Sequence, residues 1–316
     1  MEIYFAPLEG ITGYIYRNAF HDYFTGIDKY FTPFLSPNQN RALNPKEIRD
    51  VLPENNKGMY VVPQILTNRG DFFLRAAEEL GEKYGYGEVN LNLGCPSRTV
   101  VTKGKGAGFL AKPEELDAFF QEIFREVKGR VSVKARIGMD EPKEFRHLME
   151  IFNKYPLCEL IIHPRVQKDY YNNTPNWEAF GEAVDTSRNS LCYNGDIFTI
   201  EDYRRLRARF PEIKKMMLGR GLLRNPALAE MIKAEEREGP GAAKAALDKK
   251  RLKGFHDRLY ADYKAAMSGD KNVLFKMKEF WAYGGNLFPE EEKLLKRIRK
   301  AARLQEYDEA VEGILG

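Results

Sequence analysis

Short apolar runs alternate with longer amphipathic ones from residue 1 to about residue 235. The apolar runs are IYFA (3–6), IDKYFTPF (27–34), MYVVPQI (59–65), GEVNLNL (87–93), VSVKARI (131–137), CELIIH (158–163), SLCYN (190–194) and KKMMLG (214–219). Each has the length of a strand buried on both faces, and all but KKMMLG carry β-branched or aromatic residues. Between them lie stretches with apolar residues at helical spacing, among them TGYIYRNAFHDYF, RGDFFLRAAEELGEKY, PEELDAFFQEIFREVK, PKEFRHLMEIFNKY and TIEDYRRLRARF. Helix starts are signalled by Asp71 after Gly70, by Pro113 ahead of two glutamates, and by Thr199 ahead of Glu201 and Asp202. Strand–helix alternation repeated eight times predicts an α/β fold with a parallel sheet closed into a (β/α)8 (TIM) barrel. An open doubly wound sheet is the rival, but no G-x-G-x-x-G follows the first strand.

Beyond about residue 237 the pattern changes. The stretches EREGPGAAKAALDKKRLKGFHDRLYADYKAAM, KNVLFKMKEFWAYGG and PEEEKLLKRIRKAARLQEYDEAVEGIL predict three or four helices with no strand between them. REGPG (237–241) reads as a hinge. The expected organisation is therefore a barrel over 1–237 and a small all-helical bundle over 238–316. No repeat other than the βα alternation is visible.

Composition narrows the class. With 316 residues and 43% hydrophobic content the chain can bury a full core, and its mean hydropathy of −0.53 is that of a water-soluble protein. No apolar run approaches the ~20 residues that span a bilayer, and MEIYFAPLEG lacks the basic and apolar regions of a secretory signal. Cys95, Cys158 and Cys192 are too scattered for a disulfide framework, and no C-x-x-C pair suggests zinc. A reducing cytoplasm, no metal, no membrane and a monomer are the expectations. The charge of +4 is unevenly placed: residues 241–316 hold 16 of the 50 Lys+Arg against 12 of the 46 Asp+Glu, leaving 34 of each elsewhere. The whole excess lies in the helical quarter, which reads as a solvated surface or as a docking face for a polyanion.

A barrel of this kind carries its chemistry where the strands end. The expected strand ends supply Ala6-Pro7-Leu8, Gln64, Asn92 with Cys95 just beyond, Lys134 and Arg136, His163 and Arg165, Asn194-Gly195-Asp196, and Gly219-Arg220-Gly221. Polar groups on seven of eight strands exceed what capping needs. YNGD and GRG follow the seventh and eighth strands, where this fold recurrently binds phosphate. A lysine lining a barrel is costly unless it meets an anion or an electron-rich ring. A cofactor with a phosphate tail and an electron-accepting head would answer both observations, and FMN has that shape.

The stretch VNLNLGCPSRTVVTKGKGAG (89–108) places a thiol just past a buried strand, ahead of Pro96. From Pro96 to Pro113 the chain carries Arg98, Lys103, Lys105 and Lys112 and no acid, which predicts a flexible cationic loop. Together with APLEGIT, VKARIG, IIHPR, NGDI, GRGLLRNP and KMKEFWAY, this stretch resembles the tRNA-dihydrouridine synthase family over nearly the whole chain. The resemblance implies an FMN-bearing barrel, a helical tRNA-binding domain, and NADPH-dependent reduction of a uridine in tRNA to 5,6-dihydrouridine. It implies that Ala6, Pro7 and Leu8 run beside the flavin, that Gln64 and Lys134 bond its polar edge, and that His163 lies near it. Asn194, Gly195, Asp196, Gly219 and Arg220 would hold the ribityl and phosphate groups. Asn92 would orient the uracil, with Arg136, Arg165, Lys103 and Lys105 on the substrate side. Cys95 would protonate C5 while hydride from the flavin reaches C6. A thiol suits that task because it is mostly neutral at pH 7 and can deliver a proton to carbon.

Two departures from the family pattern stand out. Leu8 occupies a position where methionine is commoner, and HPRVQKDYY replaces an H-G-R-T form, with Pro164 removing one backbone donor. Two other function classes fit parts of the chain. One is a flavin barrel acting on a small molecule, like dihydroorotate dehydrogenase or an old-yellow-enzyme relative, for which a basic helical appendage has no purpose. The other is a non-catalytic tRNA-binding protein or folding chaperone, which needs neither Cys95 nor Lys134.

Overall fold

The computed structural model describes residues 1–242 and 248–316, so residues 243–247 of the expected helical tail lie outside the described residues. All eight expected strands form: β1 (Glu2–Phe5), β2 (Lys29–Phe31), β3 (Val61–Val62) with β4 (Gln64–Ile65), β5 (Glu88–Leu93), β6 (Arg130–Arg136), β7 (Glu159–His163), β8 (Leu191–Tyr193) and β9 (Lys215–Leu218). They lie in one sheet, in the order β3-β2-β1-β9-β8-β7-β6-β5-β4, and every pairing is parallel. β3 and β4 are two pieces of one strand interrupted at Pro63, which has no N–H to give the ladder. Its carbonyl still accepts from Asn90 N at 2.8 Å. One piece pairs with β2 and the other with β5, so the ring closes as a (β/α)8 barrel.

The helices are α1 (Tyr14–Tyr23), α2 (Pro45–Val51), α3 (Gly70–Tyr84), α4 (Arg98–Val101), α5 (Pro113–Glu126), α6 (Glu144–Phe152), α7 (Trp177–Thr186), α8 (Ile200–Arg209), α9 (Arg220–Arg224), α10 (Leu228–Glu238), α11 (Lys249–Ala266), α12 (Asp270–Gly284), α13 (Glu292–Lys300) and α14 (Leu304–Leu315). Local chemistry sets several starts. Asn44 and Glu47 form a reciprocal capping box on α2, and Thr199 and Asp202 do the same ahead of α8. At the α3 start Asp71 instead pairs with Arg69.

The described residues group into two compact units. The first comprises Met1–Pro7, Asp28–Asp196 and Leu206–Leu218, and contains the whole barrel sheet. Its outer seam includes edge-on contacts of Phe119 with Phe73 and Phe109, with ring centroids 5.8 and 5.5 Å apart. Each such pair is worth about 1 kcal/mol beyond its buried area. The second unit comprises Leu8–Ile27, Ile197–Arg205 and Gly219–Gly316. The grouping therefore does not divide the chain at one point near 237, because α1 joins the later helices. Tyr16, Phe20 and Phe24 each present a ring edge-on to Phe255 of α11 at 5.3–6.1 Å. Gly254 makes that approach possible, since a Cβ there would stand 2.6 Å from the Tyr23 ring. Nearby, Tyr307 OH meets His256 Nε2 at 2.6 Å and accepts from Trp281 Nε1 at 2.9 Å, so these three buried polar groups satisfy one another.

Candidate active site

Side chains alternate along a strand, so every second residue of each strand faces into the barrel. The interior is consequently layered. At the strand starts Glu88 and Glu159 meet Lys29 and Lys215: Lys29 Nζ lies 3.2 Å from both carboxylates, and Lys215 Nζ lies 2.7 Å from Glu159. Tyr4 OH donates to Glu159 at 2.7 Å and Ser132 Oγ to Glu88 at 3.0 Å. A buried apolar layer follows, made of Tyr4, Ala6, Phe31, Val62, Ile161, Cys192 and Met217. Beyond it, at the strand ends, lie Gln64, Asn92, Lys134, Arg136, His163 and Asn194.

The turn carrying Cys95 is fixed from several sides. Asn92 is buried; its Oδ1 accepts from the backbone N–H of Gly94 and Cys95 at 3.0 and 2.9 Å, and its Nδ2 donates to Gln64 Oε1 at 2.7 Å. Gln64 Nε2 donates in turn to Asn90 Oδ1 at 2.8 Å. Arg136 Nε donates to Gly94 O at 3.0 Å, Gln167 Nε2 to Pro96 O at 2.9 Å, and Ala107 N to Cys95 O at 3.1 Å. Gly106, at φ +57°, backs directly onto the cysteine: a Cβ there would meet Cys95 O at 2.9 Å and Cys95 Cβ at 3.1 Å. The segment after Cys95 is not the loose loop expected. It folds as α4 and a 3-10 turn over Gly106–Ala111, with Gly106 to Leu110 buried. The reason is glycine spacing, since Gly108 also packs against the Val101 backbone where a Cβ would come within 2.6 Å. Lys103 is exposed and Lys105 half-buried, and burial followed by repulsion from Lys103 lowers the Lys105 ammonium.

Lys134 pairs in register with Asn92, one strand away from the Cys95 turn. It is half-buried and makes no hydrogen bond or ion pair among the described residues. Burial, with Arg136 adding repulsion, lowers its ammonium to about 8. Arg136 is 1% exposed, and besides Gly94 it donates to the carbonyls of Val166 at 2.8 Å and Tyr170 at 2.6 Å. Arg165, also 1% exposed, binds His163 Nε2 at 2.9 Å, Asn173 O and both oxygens of Asp196. Because a guanidinium only donates, His163 must accept through Nε2 and carry its proton on Nδ1. Both arginines thus brace the rim from behind.

Asn194 holds the end of β8 by donating from Nδ2 to Met217 O at 2.8 Å. Gly195 is required by a neighbouring ring, because a Cβ there would collide with Tyr193 OH at 2.1 Å. Ala6 closes β1 against β9, its N–H donating to Leu218 O at 2.8 Å, and Pro7 follows it. Leu8, Gly219 and Arg220 belong to the second unit. There Leu8 N donates to Thr12 Oγ1 at 2.8 Å, Gly219 opens α9, and the Arg220 guanidinium lies 5.4 Å from the Phe198 ring.

The sequence reading missed Tyr171. It is 49% exposed, with its ring 5.4 Å from the Arg136 guanidinium and 5.9 Å from the His163 ring. Tyr170 before it holds φ +49°, a conformation costly for a bulky side chain, and Arg136 pins its carbonyl. The signal available in the sequence was the paired aromatic in HPRVQKDYY, directly after a strand end. The two remaining thiols are of another kind. Burial first, then the Glu88 charge, pushes Cys158 up to about 12, and burial raises Cys192 strongly.

The polar rim thus crowns a closed parallel barrel and holds one anchored, half-buried cysteine, Cys95. Residues 4–314 match the family model described as dihydrouridine synthase (Dus). The chain belongs to the dihydrouridine synthase family. It is accordingly an FMN-dependent oxidoreductase, and the match takes in the helical tail as well as the barrel. The chain is similar to a tRNA-dihydrouridine(16) synthase of Pseudomonas putida, 30% identical over 241 residues and covering 74% of each chain. A protein of the same description from Ralstonia nicotianae is 26% identical over 246 residues, covering 75% of this chain and 74% of that one. Among solved structures, morphinone reductase in complex with tetrahydroNAD superposes with a TM-score of 0.51 at 15% identity, over 80% of this chain and 90% of that one. That likeness is one of fold. Among the described residues no helix is long and apolar enough to cross a membrane.

Proposed function

We propose that the protein reduces a uridine of tRNA to 5,6-dihydrouridine, that the uridine is the one at position 16, and that Cys95 is its proton donor. Position 16 rests on the descriptions of the relatives named above. The observation that carries the chemical reading is the Cys95 turn, a thiol anchored through Asn92, Arg136, Gln167 and Ala107 at the rim of a barrel. An inert core cysteine needs no such anchoring.

The residues at the rim fit FMN. The half-buried Lys134 ammonium lacks a partner, which is costly in an apolar barrel and is offset once an electron-rich ring edge or anion comes beside it. Gln64, Lys134, His163 and Asn194 would hold the ring and ribityl groups from the barrel. The Ala6-Pro7-Leu8 backbone would flank the ring, and Gly195, Asp196, Gly219 and Arg220 would hold the phosphate end. Bound FMN, recharged by NADPH, supplies the electron pair for the reduction.

The remaining duties fall to the chain itself. The base must leave its stack to enter the barrel, at a cost of a few kcal/mol. Tyr171 offers a ring face for the extruded uracil, and Asn92 keeps one Nδ2–H for a uracil carbonyl after its bond to Gln64. Cys95 then gives its proton to C5. Lys103 and Lys105 meet flanking phosphates, while Arg136 and Arg165 keep the Cys95 turn and the His163 ring in place. Residues 238–316 serve as the tRNA-binding domain.

The test uses purified protein and tRNA. A yellow preparation should bleach with NADPH and recover its colour on adding tRNA, with dihydrouridine appearing at position 16 by modification mapping. Recolouring without dihydrouridine, or dihydrouridine at another position only, would remove the corresponding part of the proposal.

A further inference from the structure

We propose that the Tyr170 ring caps the nucleobase next to the target uridine, covering the face that is exposed when the uridine leaves its stack. The inference rests on the reading that the protein acts on tRNA, and adds a contact to the neighbouring nucleotide made by the barrel itself.

It starts from a misfit between a residue and its turn. Asn172 N donates to Asp169 O at 2.9 Å, closing a four-residue turn with Tyr170 and Tyr171 at its centre. Tyr170 holds φ +49° and ψ −98°, close to the first central position of a type II′ turn, where glycine dominates. Among the described residues no other residue but glycine has a positive φ. The turn is held from several sides against this strain. Besides the bond that closes it, Asn173 Nδ2 donates to Asp169 Oδ1 at 2.6 Å and Arg136 Nη2 to Tyr170 O at 2.6 Å. Strain held in place by its surroundings clusters at binding and active sites.

The bonds of Tyr170 use its backbone alone, so glycine would make them equally well. The phenol needs a separate explanation. It is 43% exposed, and among the described residues it makes no side-chain hydrogen bond, ring contact or cation contact. The fold therefore gains little from the ring, while the Cβ that carries it is what strains the turn. The next residue, Tyr171, has its ring beside His163 and Arg136, where the extruded uracil is placed. Consecutive Cα atoms lie about 3.8 Å apart, so Tyr170 borders the path of the nucleotides flanking that uracil. Extruding one base breaks its stacking with the next. An exposed aromatic ring replaces the lost stack, since every base offers it a π-face.

The experiment compares the flavin-loaded full chain with its Tyr170→Gly and Tyr170→Phe variants. The substrates are tRNA and two tRNAs carrying an abasic nucleotide, one just before and one just after the target uridine. Tyr170→Gly should raise KM for intact tRNA roughly tenfold, the scale of one lost base–aromatic stack. Tyr170→Phe keeps the ring and should stay close to the parent. One of the two abasic tRNAs should raise the parent's KM by roughly the same tenfold. It should add little to the loss in Tyr170→Gly, because both changes remove one interaction. Thermal stability of Tyr170→Gly should hold or rise, since glycine suits the turn. An unchanged KM in Tyr170→Gly overturns the cap, as do losses that multiply on both abasic tRNAs, and each leaves uridine reduction standing. A loss in Tyr170→Phe as large as in Tyr170→Gly assigns the contact to the hydroxyl and overturns the stack. Melting of Tyr170→Gly well below the parent shows that the ring serves the fold and overturns the proposal as well. A parent protein that neither binds nor reduces tRNA overturns the proposed function itself.

Discussion

Two polar layers lie inside one barrel, and they differ in how they are balanced. At the strand starts, Lys29 and Lys215 face Glu88 and Glu159, with Tyr4 and Ser132 filling the remaining acceptor positions. At the strand ends, Lys134 has no hydrogen-bonding partner, and the guanidinium of Arg136 is spent on carbonyls. Glu159 raises the Lys29 ammonium in spite of its burial, whereas burial lowers that of Lys134. A closed layer of matched charges is a plug. A layer with an unmatched cation and an anchored thiol is left open, as the proposed flavin and uracil site requires. The comparison teaches that polarity inside a barrel does not mark the chemistry; unfinished polarity does.

The sharpest way to break the contrast is Cys95→Ala. It should leave folding and NADPH bleaching intact while tRNA-dependent reoxidation of the flavin falls by about 10²–10⁴, the range for loss of a positioned proton donor. Rapid-mixing absorbance separates the two half-reactions, and reoxidation at the parent rate would remove Cys95 from its role. Glu159→Gln attacks the other layer. It strips Lys29 and Lys215 of their shared carboxylate and should cost about 3–5 kcal/mol of stability, as when one partner of a buried ion pair is lost. Urea denaturation would read this, with the rim chemistry preserved in the molecules that remain folded. If stability did not change, the plug would not be holding the strand starts.

The third test concerns the sign of the pH dependence. Lys134 binds its proton less tightly in the folded flavin-free protein than in the unfolded chain, so its ammonium opposes folding below about pH 8. That cost shrinks as pH rises from about 8 towards the ordinary lysine value. Lys134→Met in the flavin-free protein should therefore be more stable than the parent below pH 8, by at most about 3 kcal/mol. The gap should narrow steadily above pH 8 and close only near the ordinary lysine value. A gap constant with pH would mean that packing, not charge, sets the difference.

Much of this was legible before the fold was seen, for a definable reason. Strand ends are short-range features, so Gln64, Asn92, Lys134, His163 and Asn194 could be read off as the last inward residues of apolar runs. What Arg136 and Arg165 bond could not be read, because their carbonyl partners at Val166, Tyr170 and Asn173 depend on the path of one long loop. The segment after Cys95 looked mobile because glycines and lysines crowd it. Gly106 and Gly108 are there instead to let backbone press against backbone. The Tyr170-Tyr171 pair is visible in the sequence, but its placement is not, since only the folded loop brings the Tyr171 ring beside His163 and Arg136. The aromatic stripe of α1 was legible as a buried face, but an amphipathic pattern does not name what covers it.

That last stripe has a consequence for inheritance. Tyr16, Phe20 and Phe24 lie early in the chain, whereas Phe255, which they enclose, lies more than two hundred residues later. A polypeptide severed after residue 237 would leave three rings facing water and their counterpart on the discarded piece. The helical portion is thus not a cassette to be swapped by a single genetic crossover, and a relative exchanging it must revise the first thirty residues along with the last eighty.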